Sequence, residues 1–335
     1  MPRRLSNYLL ISLKGAAMGA ADAVPGVSGG TIAFISGIYE ELISTISNVN
    51  LSLLKIWRQS GFFAFWKALN GNFLVALLLG LVISFVSFMR LAKYLIEYHP
   101  VLIWSFFFGL IIASIYFVAK QITIWRAGTI VALILGTILA YIITELPLSA
   151  SNESPFFLFF AGAIAICAMI LPGISGSFIL LILGAYKTLT DAFHDFDWQR
   201  IALFASGALV GLLSFSRVLK WLFKNYHNIT LALLTGFIFG SLNKIWPWKL
   251  TNLVMEKDSG TVLKLTDITS YGNLTLYQQQ LVDFDSLKLI SEASVSPQTY
   301  ALQNNGVDPQ ILPALALMLA GFLTIFILER LGNKQ

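Results

Sequence analysis

The sequence predicts an all-α integral membrane protein whose two halves form an inverted repeat. Of its 335 residues, 57% are hydrophobic and only 12% are charged, whereas a soluble domain carries about 25% charged residues. The apolar runs are long and do not alternate with polar residues, so they predict membrane-spanning helices rather than the strands of a barrel. A duplication of motifs indicates the repeat. Each half is predicted to be a re-entrant helical hairpin followed by three transmembrane helices.

The duplication is clearest at a Pro-Gly turn. The segment VPGVSGGTIAFISGIYEEL at 24–42 matches LPGISGSFILLILGAYKTL at 171–189, with proline, glycine, serine and tyrosine at equivalent positions. A second match joins SFMRLAKYL at 87–95 to SFSRVLKWL at 214–222. Self-similarity of this kind indicates that the chain is built from two units of like design.

We divide the chain into a first membrane repeat, 1–146, and a second, 155–335. In the first repeat, the two hairpin segments and three spans are 5–24, 30–47, 72–95, 101–119 and 127–146. In the second repeat, they are 156–171, 177–190, 200–222, 229–246 and 309–328. A polar insert at 249–308 contains TVLKLTDITS and LVDFDSLKLI, whose alternation is typical of short strands, and it predicts an extracytoplasmic flap.

Basic residues set the predicted orientation, because Lys and Arg favour cytoplasmic loops. If each hairpin has both ends on one side, the N- and C-termini and the basic loop 48–71 are cytoplasmic, whereas the acidic loops and the insert lie outside. Three full crossings in each half then invert the second half relative to the first, as in many secondary transporters. Arg90 and Lys93 are the exceptions, on the outer side.

The Pro-Gly turns break the helix at membrane depth, where irregular backbone is tolerated only inside protein or beside a wet cavity. The helix after each turn offers N–H groups and a positive dipole end to an anion, and the glycines allow close approach. The predicted phosphate-binding residues of the two turns are Gly26, Ser28, Gly29, Gly30, Thr31, Gly173, Ser175, Gly176 and Ser177. In the alternative interpretation, these small residues only allow tight packing of the hairpins.

Two basic pairs at equivalent positions support the anion hypothesis. They are Arg90 with Lys93, and Arg217 with Lys220. The inverted topology places one pair near each membrane face, and a pair kept only for orientation is not expected on the outer side. We therefore predict that they bind a phosphate headgroup, with extension to the lipid headgroups of the bilayer as the alternative.

Asp22 lies one turn before the first proline, within an apolar stretch, and its counterpart in the second half is Met169. A carboxylate inside the membrane is costly and is by default a candidate for function. It can carry a coupling proton, bind a cation, or form a structural ion pair with Lys14 or an arginine. Glu40 and Glu41 are further coupling candidates, with a place at the membrane interface as the alternative.

Composition argues against several other classes of protein. The net charge is +5, but the basic residues stand at segment ends without interleaved aromatic residues, so we expect no nucleic-acid partner. The single cysteine, Cys167, excludes an intrachain disulfide and disfavours a cysteine metal site. We expect no metal and no cofactor, and protons or sodium ions as the coupling ions.

The motif GAADAVPGVSGGT, its second copy LPGISGSF and the two Arg-x-x-Lys pairs resemble those of the PopT-type polyprenyl-phosphate transporters of the bacterial inner membrane. The resemblance extends over about residues 10–248 and the final helix. It implies that the substrate is undecaprenyl phosphate, the lipid carrier of cell-envelope sugars. It further implies a flippase that returns this carrier from the outer to the cytoplasmic leaflet, driven by an ion gradient, with Asp22 as the candidate coupling residue.

Two other functions remain open from the sequence. Membrane undecaprenyl-pyrophosphate phosphatases also use duplicated halves and Pro-Gly-x-Ser turns, but neither turn here contains an arginine that would stabilise a transferring phosphoryl group. A small-anion transporter or channel would use the same helix starts. We expect a transporter rather than an enzyme.

Overall fold

The computed structural model describes residues 3–22, 28–146, 154–256, 262–264, 287–304 and 306–332. The chain forms two compact units that do not follow the boundary of the sequence repeat. Unit 1 comprises Met1–Met89, Ser114–Ser241 and Leu328–Gln335, and unit 2 comprises Arg90–Ala113 and Leu242–Ile327.

The described residues of the first half form helices joined by short turns and loops. Its helices are α1 (Leu5–Asp22), α2 (Gly29–Ile35), α3 (Tyr39–Ser47), α4 (Leu51–Ala68), α5 (Gly71–Tyr98), α6 (Pro100–Lys120) and α7 (Ala127–Glu145). The predicted segments are present, but the region treated as loop 48–71 is the helix α4. The Asn50 side chain caps α4 by accepting a hydrogen bond from the Ser52 N–H, and Gly61 kinks it at φ 82°.

The second half repeats this order of helices. They are α8 (Pro155–Ile170), α9 (Gly176–Ile182), α10 (Ala185–His194), α11 (Trp198–Asn225), α12 (His227–Gly240), α13 (Pro297–Gln303) and α14 (Ile311–Gly332). In both hairpins the returning helix is broken, at Gly37 (φ 73°) and at its equivalent Gly184 (φ 72°). The predicted returning segments, 30–47 and 177–190, were each a single helix, so the break within them is a correction.

Within the part of the chain that the structure describes, five helical segments are long and apolar enough to cross a membrane. They are Gly71–Met89, Pro100–Lys120, Ala127–Glu145, Trp198–Asn225 and His227–Ile245. Long apolar helices of this kind satisfy every backbone polar group within the helix, which is the requirement for crossing lipid. The predominantly helical membrane architecture that the sequence predicts is therefore confirmed.

The polar insert adds a small sheet to this helical protein. Strands β1 (Lys249–Glu256), β2 (Val262–Lys264) and β3 (Leu287–Ser294) pair antiparallel in the order β2-β1-β3. The strands β2 and β3 fall within or overlap the two alternating stretches, whereas β1 was not predicted. The described strands all lie in the insert, and the membrane-spanning segments are helical.

Three contacts show that α1 and the α2–α3 segment form an antiparallel hairpin. The Gly29 N–H donates to the Asp22 carboxylate at 2.6 Å, and Lys14 Nζ donates to the Ser36 carbonyl at 2.8 Å. Further along, Arg3 binds the Glu41 carboxylate through two contacts of 2.7 Å. The two ends of this segment therefore lie at the same end of unit 1.

Glycines bring α1 against α5 at backbone contact. A Cβ on Gly15 would collide with the Leu77 carbonyl, and a Cβ on Gly80 would collide with the Ser12 carbonyl. Gly19 meets the Leu81 carbonyl in the same way, four residues further along both helices. The two helices are therefore parallel and packed through small residues, as is common between membrane helices.

The equivalent helices of the second half, α8 and α11, pack through the same reciprocal contacts. Gly162 lies against the Phe204 carbonyl and Gly207 against the Phe159 carbonyl. These four residues are the repeat counterparts of the residues that join α1 to α5. The duplicated sequence is therefore matched by duplicated packing.

The remaining helices pair across the halves. In unit 1, Gly236 of α12 meets the Leu133 carbonyl of α7, and Gly136 meets the Leu233 carbonyl. In unit 2, the equivalent helices α6 and α14 pack by the equivalent contacts, between Gly109 and Met318 and between Gly321 and Phe106. The middle of the three long helices of each half, α6 or α12, thus packs on the last helix of the other half.

Several helix ends meet at one end of unit 1, which we call the Arg3 end. Besides the Arg3–Glu41 pair, Asn70 Nδ2 before α5 donates to Glu41 at 2.9 Å. The Thr123 N–H, in the loop before α7, donates to Asn228 Oδ1 at the start of α12, at 2.9 Å. His227 Nδ1 lies 3.8 Å from the Glu40 carboxylate. Thus α1, α5, α7 and α12 begin at this end, and α11 terminates there.

A buried lysine anchors the insert within unit 2. Lys249 Nζ lies 3.8 Å from the centroid of the Trp104 ring and 2.7 Å from the Lys244 carbonyl oxygen. Its charge is balanced by the Glu292 carboxylate at 3.5 Å on the neighbouring strand. These contacts fix the base of the sheet to the helical part of this unit.

We expect Gly207→Ala to lower the melting temperature of the purified protein, because the added Cβ would force α8 and α11 apart. Overpacking of this kind costs about 1–3 kcal/mol. Gly128→Ala is the matched control, because the space around Gly128 is open and alanine is the better helix former by about 1 kcal/mol. Gly80→Ala should behave like Gly207→Ala. Equal melting temperatures for Gly207→Ala and Gly128→Ala would contradict this packing.

Candidate functional site

The two Pro-Gly turns come together in unit 1. The Gly173 N–H of the second turn donates a hydrogen bond of 3.0 Å to the hydroxyl of Thr31, which is fully buried. The Tyr39 hydroxyl donates to the Ile170 carbonyl at 3.1 Å, at the end of α8. The first hairpin therefore satisfies backbone groups of the second.

Asp22 lies at the start of α2, where its carboxylate accepts the Gly29 N–H. A Cβ on Gly29 would collide with this carboxylate, so a larger residue here would displace the Asp22 side chain. Lys14, which the sequence offered as an ion-pair partner for Asp22, instead donates to the Ser36 carbonyl. Among the described residues, no ion pair includes Asp22. The first N–H of α2, predicted to bind phosphate, is thus occupied by a carboxylate of the protein.

Ser28 precedes α2 and is 5% exposed. Its carbonyl accepts the Thr31 N–H at 3.0 Å, but its hydroxyl has no hydrogen-bond partner among the described residues. Native proteins pair nearly all of their buried polar groups, so an unpaired buried hydroxyl points to a ligand or to a further partner. Gly26 lies outside the described residues.

The second turn is built differently from the first. Gly173 has φ 86°, a backbone conformation that favours glycine. Gly176 is the first residue of α9. A Cβ added to it would lie 2.8 Å from the Ala165 carbonyl oxygen, so the glycine allows close packing on α8. Ser175 is partly buried just before α9, and Ser177 lies within α9, with its side chain outside the described residues.

Arg217 and Lys220 lie on α11 at the Arg3 end, and they contact the first half of the chain. Arg217 Nη2 donates to the Val49 carbonyl at 3.0 Å, and Lys220 Nζ donates to Asn48 Oδ1 at 2.8 Å. Both side chains are exposed. The structure thus brings the pair together with the loop after α3, and these contacts do not include the Pro-Gly turns.

Arg90 and Lys93 belong to unit 2, near the end of α5. Their backbone is helical and their side chains lie outside the described residues. A role in headgroup binding therefore stays a prediction for this pair.

Glu40 and Glu41 occupy the first turn of α3, where carboxylates interact favourably with the helix dipole. Burial opposes ionisation of Glu41, but hydrogen bonds from Arg3 and Asn70 lower its pKa below the ordinary value. Glu40 faces His227. Both carboxylates hold the Arg3 end together, which agrees with the interfacial position considered for them.

Phe34, Tyr39 and Phe223 form an aromatic cluster that was not predicted from the sequence. The ring of Tyr39 lies 4.9 Å from Phe34 edge to face and 6.0 Å from Phe223 of α11. Edge-to-face pairs of this kind are favourable beyond their buried area. The sequence does mark Tyr39, because tyrosine stands at the equivalent position, Tyr186, in the second copy of the motif.

Comparison with known proteins gives the family. A family model described as undecaprenyl phosphate translocase-like matches residues 18–263. A polyprenyl-phosphate transporter of Vibrio cholerae is 42% identical over 334 residues, which cover 100% of each chain. One from Staphylococcus aureus is 34% identical over 265 residues, which cover 72% of this chain and 88% of the relative. No solved structure matches. The chain therefore belongs to the undecaprenyl phosphate translocase-like family, and it is a membrane transporter rather than an enzyme.

Proposed function

We propose that this protein returns undecaprenyl phosphate from the outer to the inner leaflet of the bacterial cytoplasmic membrane, where the carrier is reused for building the cell envelope. The observation that carries the proposal is the full-length similarity to a polyprenyl-phosphate transporter. The chemistry of the chain agrees with it. An anionic headgroup needs cationic or N–H donors, whereas the isoprenoid tail needs only an apolar surface that faces lipid.

The proposal includes an inverted arrangement of the two halves across the membrane. Contacts within unit 1 support it. The helices α1 and α5 begin at the Arg3 end, whereas their repeat counterparts α8 and α11 run toward it, since α11 ends there and α8 is parallel to α11. Inverted halves place equivalent sites on opposite leaflets, which is what alternating access requires.

The basic pair Arg217 and Lys220 is the proposed headgroup site at the Arg3 end. A guanidinium binds phosphate oxygens through two parallel hydrogen bonds, and an ammonium adds a mobile charge. Both side chains are exposed and are held in place by the Val49 carbonyl and by Asn48. Arg90 and Lys93 are the proposed counterpart for the opposite leaflet.

The turns have a second role in this proposal. Where the two hairpins touch, the Gly173 N–H and the Thr31 hydroxyl are engaged with each other, and the Gly29 N–H is engaged with Asp22. Separation of the hairpins would release the first two groups. We propose that these donors then accompany the phosphate across the centre of the membrane.

An ion gradient is the proposed driving force, with Asp22 as the coupling residue. Its carboxylate lies at the inner end of the first hairpin, next to the residues that join the two turns. A change in its charge would alter its hydrogen bond to Gly29 and the adjacent contact with the second half. Protons and sodium ions are the two ions considered.

We expect Arg217→Ala to reduce transfer of undecaprenyl phosphate between the leaflets of proteoliposomes by about tenfold or more, because a charge-assisted bond to phosphate contributes about 1.5–3 kcal/mol. Arg217→Lys should recover part of the rate. Arg200→Ala, on the same helix and paired with Asp197, is the control and should retain the wild-type rate. Full activity in both Arg217→Ala and Arg90→Ala would exclude the headgroup role.

The inverted topology predicts the labelling of single cysteines in a Cys167→Ala background. Gln59→Cys on α4 should react only from the cytoplasm. Asp195→Cys, whose side chain position is 72% exposed, should react only from outside, since α11 separates it from the Arg3 end by about 42 Å. Labelling of both positions from one side by a membrane-impermeant maleimide would refute the topology.

Asp22→Asn should abolish the stimulation of lipid transfer by a pH or sodium gradient, and exchange without a gradient should remain. The amide keeps an oxygen that accepts the Gly29 N–H, so the turn should stay folded. The measurement compares transfer with and without each imposed gradient in wild type and variant. Undiminished stimulation in Asp22→Asn would remove this residue from the coupling mechanism.

A further inference from the structure

The helix α4 is an addition that the sequence repeat does not explain. In the second half, α10 and α11 are joined by residues 195–197 alone, whereas the equivalent helices α3 and α5 are separated by residues 48–70. The longer connection contains α4, and the described connection of the second half holds no helix in its place. A role for α4 must therefore come from its own surface.

The geometry of α4 places it along one end of unit 1. The preceding Asn48 accepts a hydrogen bond from Lys220 of α11 at 2.8 Å, and the following Asn70 donates to Glu41 of α3 at 2.9 Å. Both ends of α4 therefore lie at the Arg3 end. Gly61 (φ 82°) divides the helix into two arms of about 15 Å and 10 Å, which are too short to cross a hydrocarbon core of about 30 Å.

The first arm of α4 has an apolar stripe and a basic stripe. Leu53, Ile56 and Trp57 recur at the spacing of one helix face. Lys55 and Arg58, three residues apart, lie on another face. Leu53 is buried, whereas Trp57 is 52% exposed and both basic side chains are exposed. A helix of this design lies in a membrane interface, with its apolar stripe toward the acyl chains and its cations toward the headgroups.

The second arm of α4 carries an aromatic cluster. The Phe62 ring lies 5.7 Å from the ring of Trp66 and 6.2 Å from that of Phe65. Trp66 Nε1 donates to Asn72 Oδ1 of α5 at 2.7 Å, which attaches the cluster to a membrane-spanning helix. The neighbouring Phe63 is 89% exposed. An exposed apolar cluster marks an interaction surface, and aromatic side chains are typical of the membrane interface.

The charge of this segment selects its partner. Residues 51–70 contain three basic residues and no acidic residue. At the opposite end of α11, Phe196 and Trp198 are also exposed aromatic residues. Their neighbours are instead the acidic Asp195 and Asp197. Both ends thus carry aromatic residues that suit a bilayer interface, but only the Arg3 end presents α4 with a net positive charge, which anionic lipids attract.

We propose that α4 lies on the cytoplasmic leaflet and binds the phosphodiester headgroups of anionic phospholipids through Lys55 and Arg58, with Phe62 and Phe63 among the acyl chains. The leaflet rests on the topology in the proposed function, whereas the preference for anionic lipid rests on α4 itself. Since Asn48 and Val49 directly precede α4 and contact the basic pair of α11, this attachment holds the proposed headgroup site at the membrane surface.

The position of α4 is tested in nanodiscs that contain the full-length protein with one NBD fluorophore on a single cysteine, in a Cys167→Ala background. NBD at Phe63→Cys should be quenched by lipids that carry a spin label near the headgroup, and it should be protected from aqueous iodide. Gln59→Cys is the matched control, because Gln59 is an exposed polar residue of the same helix. NBD at this position should be quenched by iodide.

The lipid preference is tested by adding phosphatidylglycerol or phosphatidylcholine to the NBD-labelled protein in detergent. Lys55→Gln/Arg58→Gln should weaken the response of NBD at Phe63→Cys to phosphatidylglycerol by at least about tenfold, because each cation near an anionic surface contributes about fivefold in affinity. Lys120→Gln/Arg126→Gln removes the same charge from exposed positions outside α4 and should retain the response. Both double variants should melt at the wild-type temperature without lipid, because all four side chains are exposed.

Three results would overturn the inference. The first is equal quenching by iodide at Phe63→Cys and Gln59→Cys. The second is protection of Phe63→Cys from iodide without quenching by the spin-labelled lipid, since a second copy of the chain would then cover α4. The third is equal affinity of the two double variants for phosphatidylglycerol.

Lipid transfer separates this inference from the proposed function. Transfer of undecaprenyl phosphate that depends on Arg217, without a preference of α4 for phosphatidylglycerol, refutes the lipid-binding role of α4 alone. A preference that is lost in Lys55→Gln/Arg58→Gln, without any transfer of undecaprenyl phosphate, supports that role and refutes the proposed transport.

Discussion

Backbone polar groups of an unwound segment inside a membrane must find partners within the protein, because lipid offers none. The two hairpins contain breaks in their helices, and they satisfy part of this requirement through hydrogen bonds to each other. The N–H of Gly173 in the second turn is satisfied by Thr31 of the first, and the last carbonyl of α8 is satisfied by Tyr39. The first hairpin thus supplies side-chain partners for backbone groups of the second. Thr31 is completely buried in this pairing.

The glycine contacts explain why the halves are not separate domains. Within each half, the hairpin helix packs parallel to the first long helix, through Gly15 in one copy and Gly162 in the other. The later helices instead exchange partners, so that α7 packs on α12, and α6 packs on α14. Close approach through glycine replaces the hydrophobic driving force that is absent between helices in lipid. Because these pairs join helices from different halves, each compact unit contains residues from both halves of the sequence repeat.

The sequence predicted the hairpins and spans to within a few residues, because hydropathy and Pro-Gly turns depend only on local composition. It did not predict which groups meet. The carboxylate of Asp22 at the end of α1 accepts the Gly29 N–H at the start of α2, and Arg217 contacts the Val49 carbonyl in the other half of the chain. Such contacts depend on tertiary path, which periodicity does not contain. The helix α4 was missed because basic and polar residues interrupt its apolar positions. The packing glycines were detectable, since Gly15 and Gly162 stand at equal distances from the two motifs.

The helix pairs are held by close glycine packing, whereas the two turns are held by few hydrogen bonds. This difference indicates which parts of the protein can move. The reciprocal glycine pairs bring backbones into contact over several turns, and separating them would expose close-packed surfaces without any compensating partner. The two turns are joined chiefly by the Thr31–Gly173 and Tyr39–Ile170 hydrogen bonds, each with a net contribution of about 0.5–1.5 kcal/mol. A difference of a few kcal/mol leaves the minor conformation populated at about 0.1–10%, and a ligand shifts such an equilibrium only by its difference in affinity for the two states. In the proposed transport, we therefore expect the protein to open between its turns, while each glycine-packed helix pair moves as a rigid element.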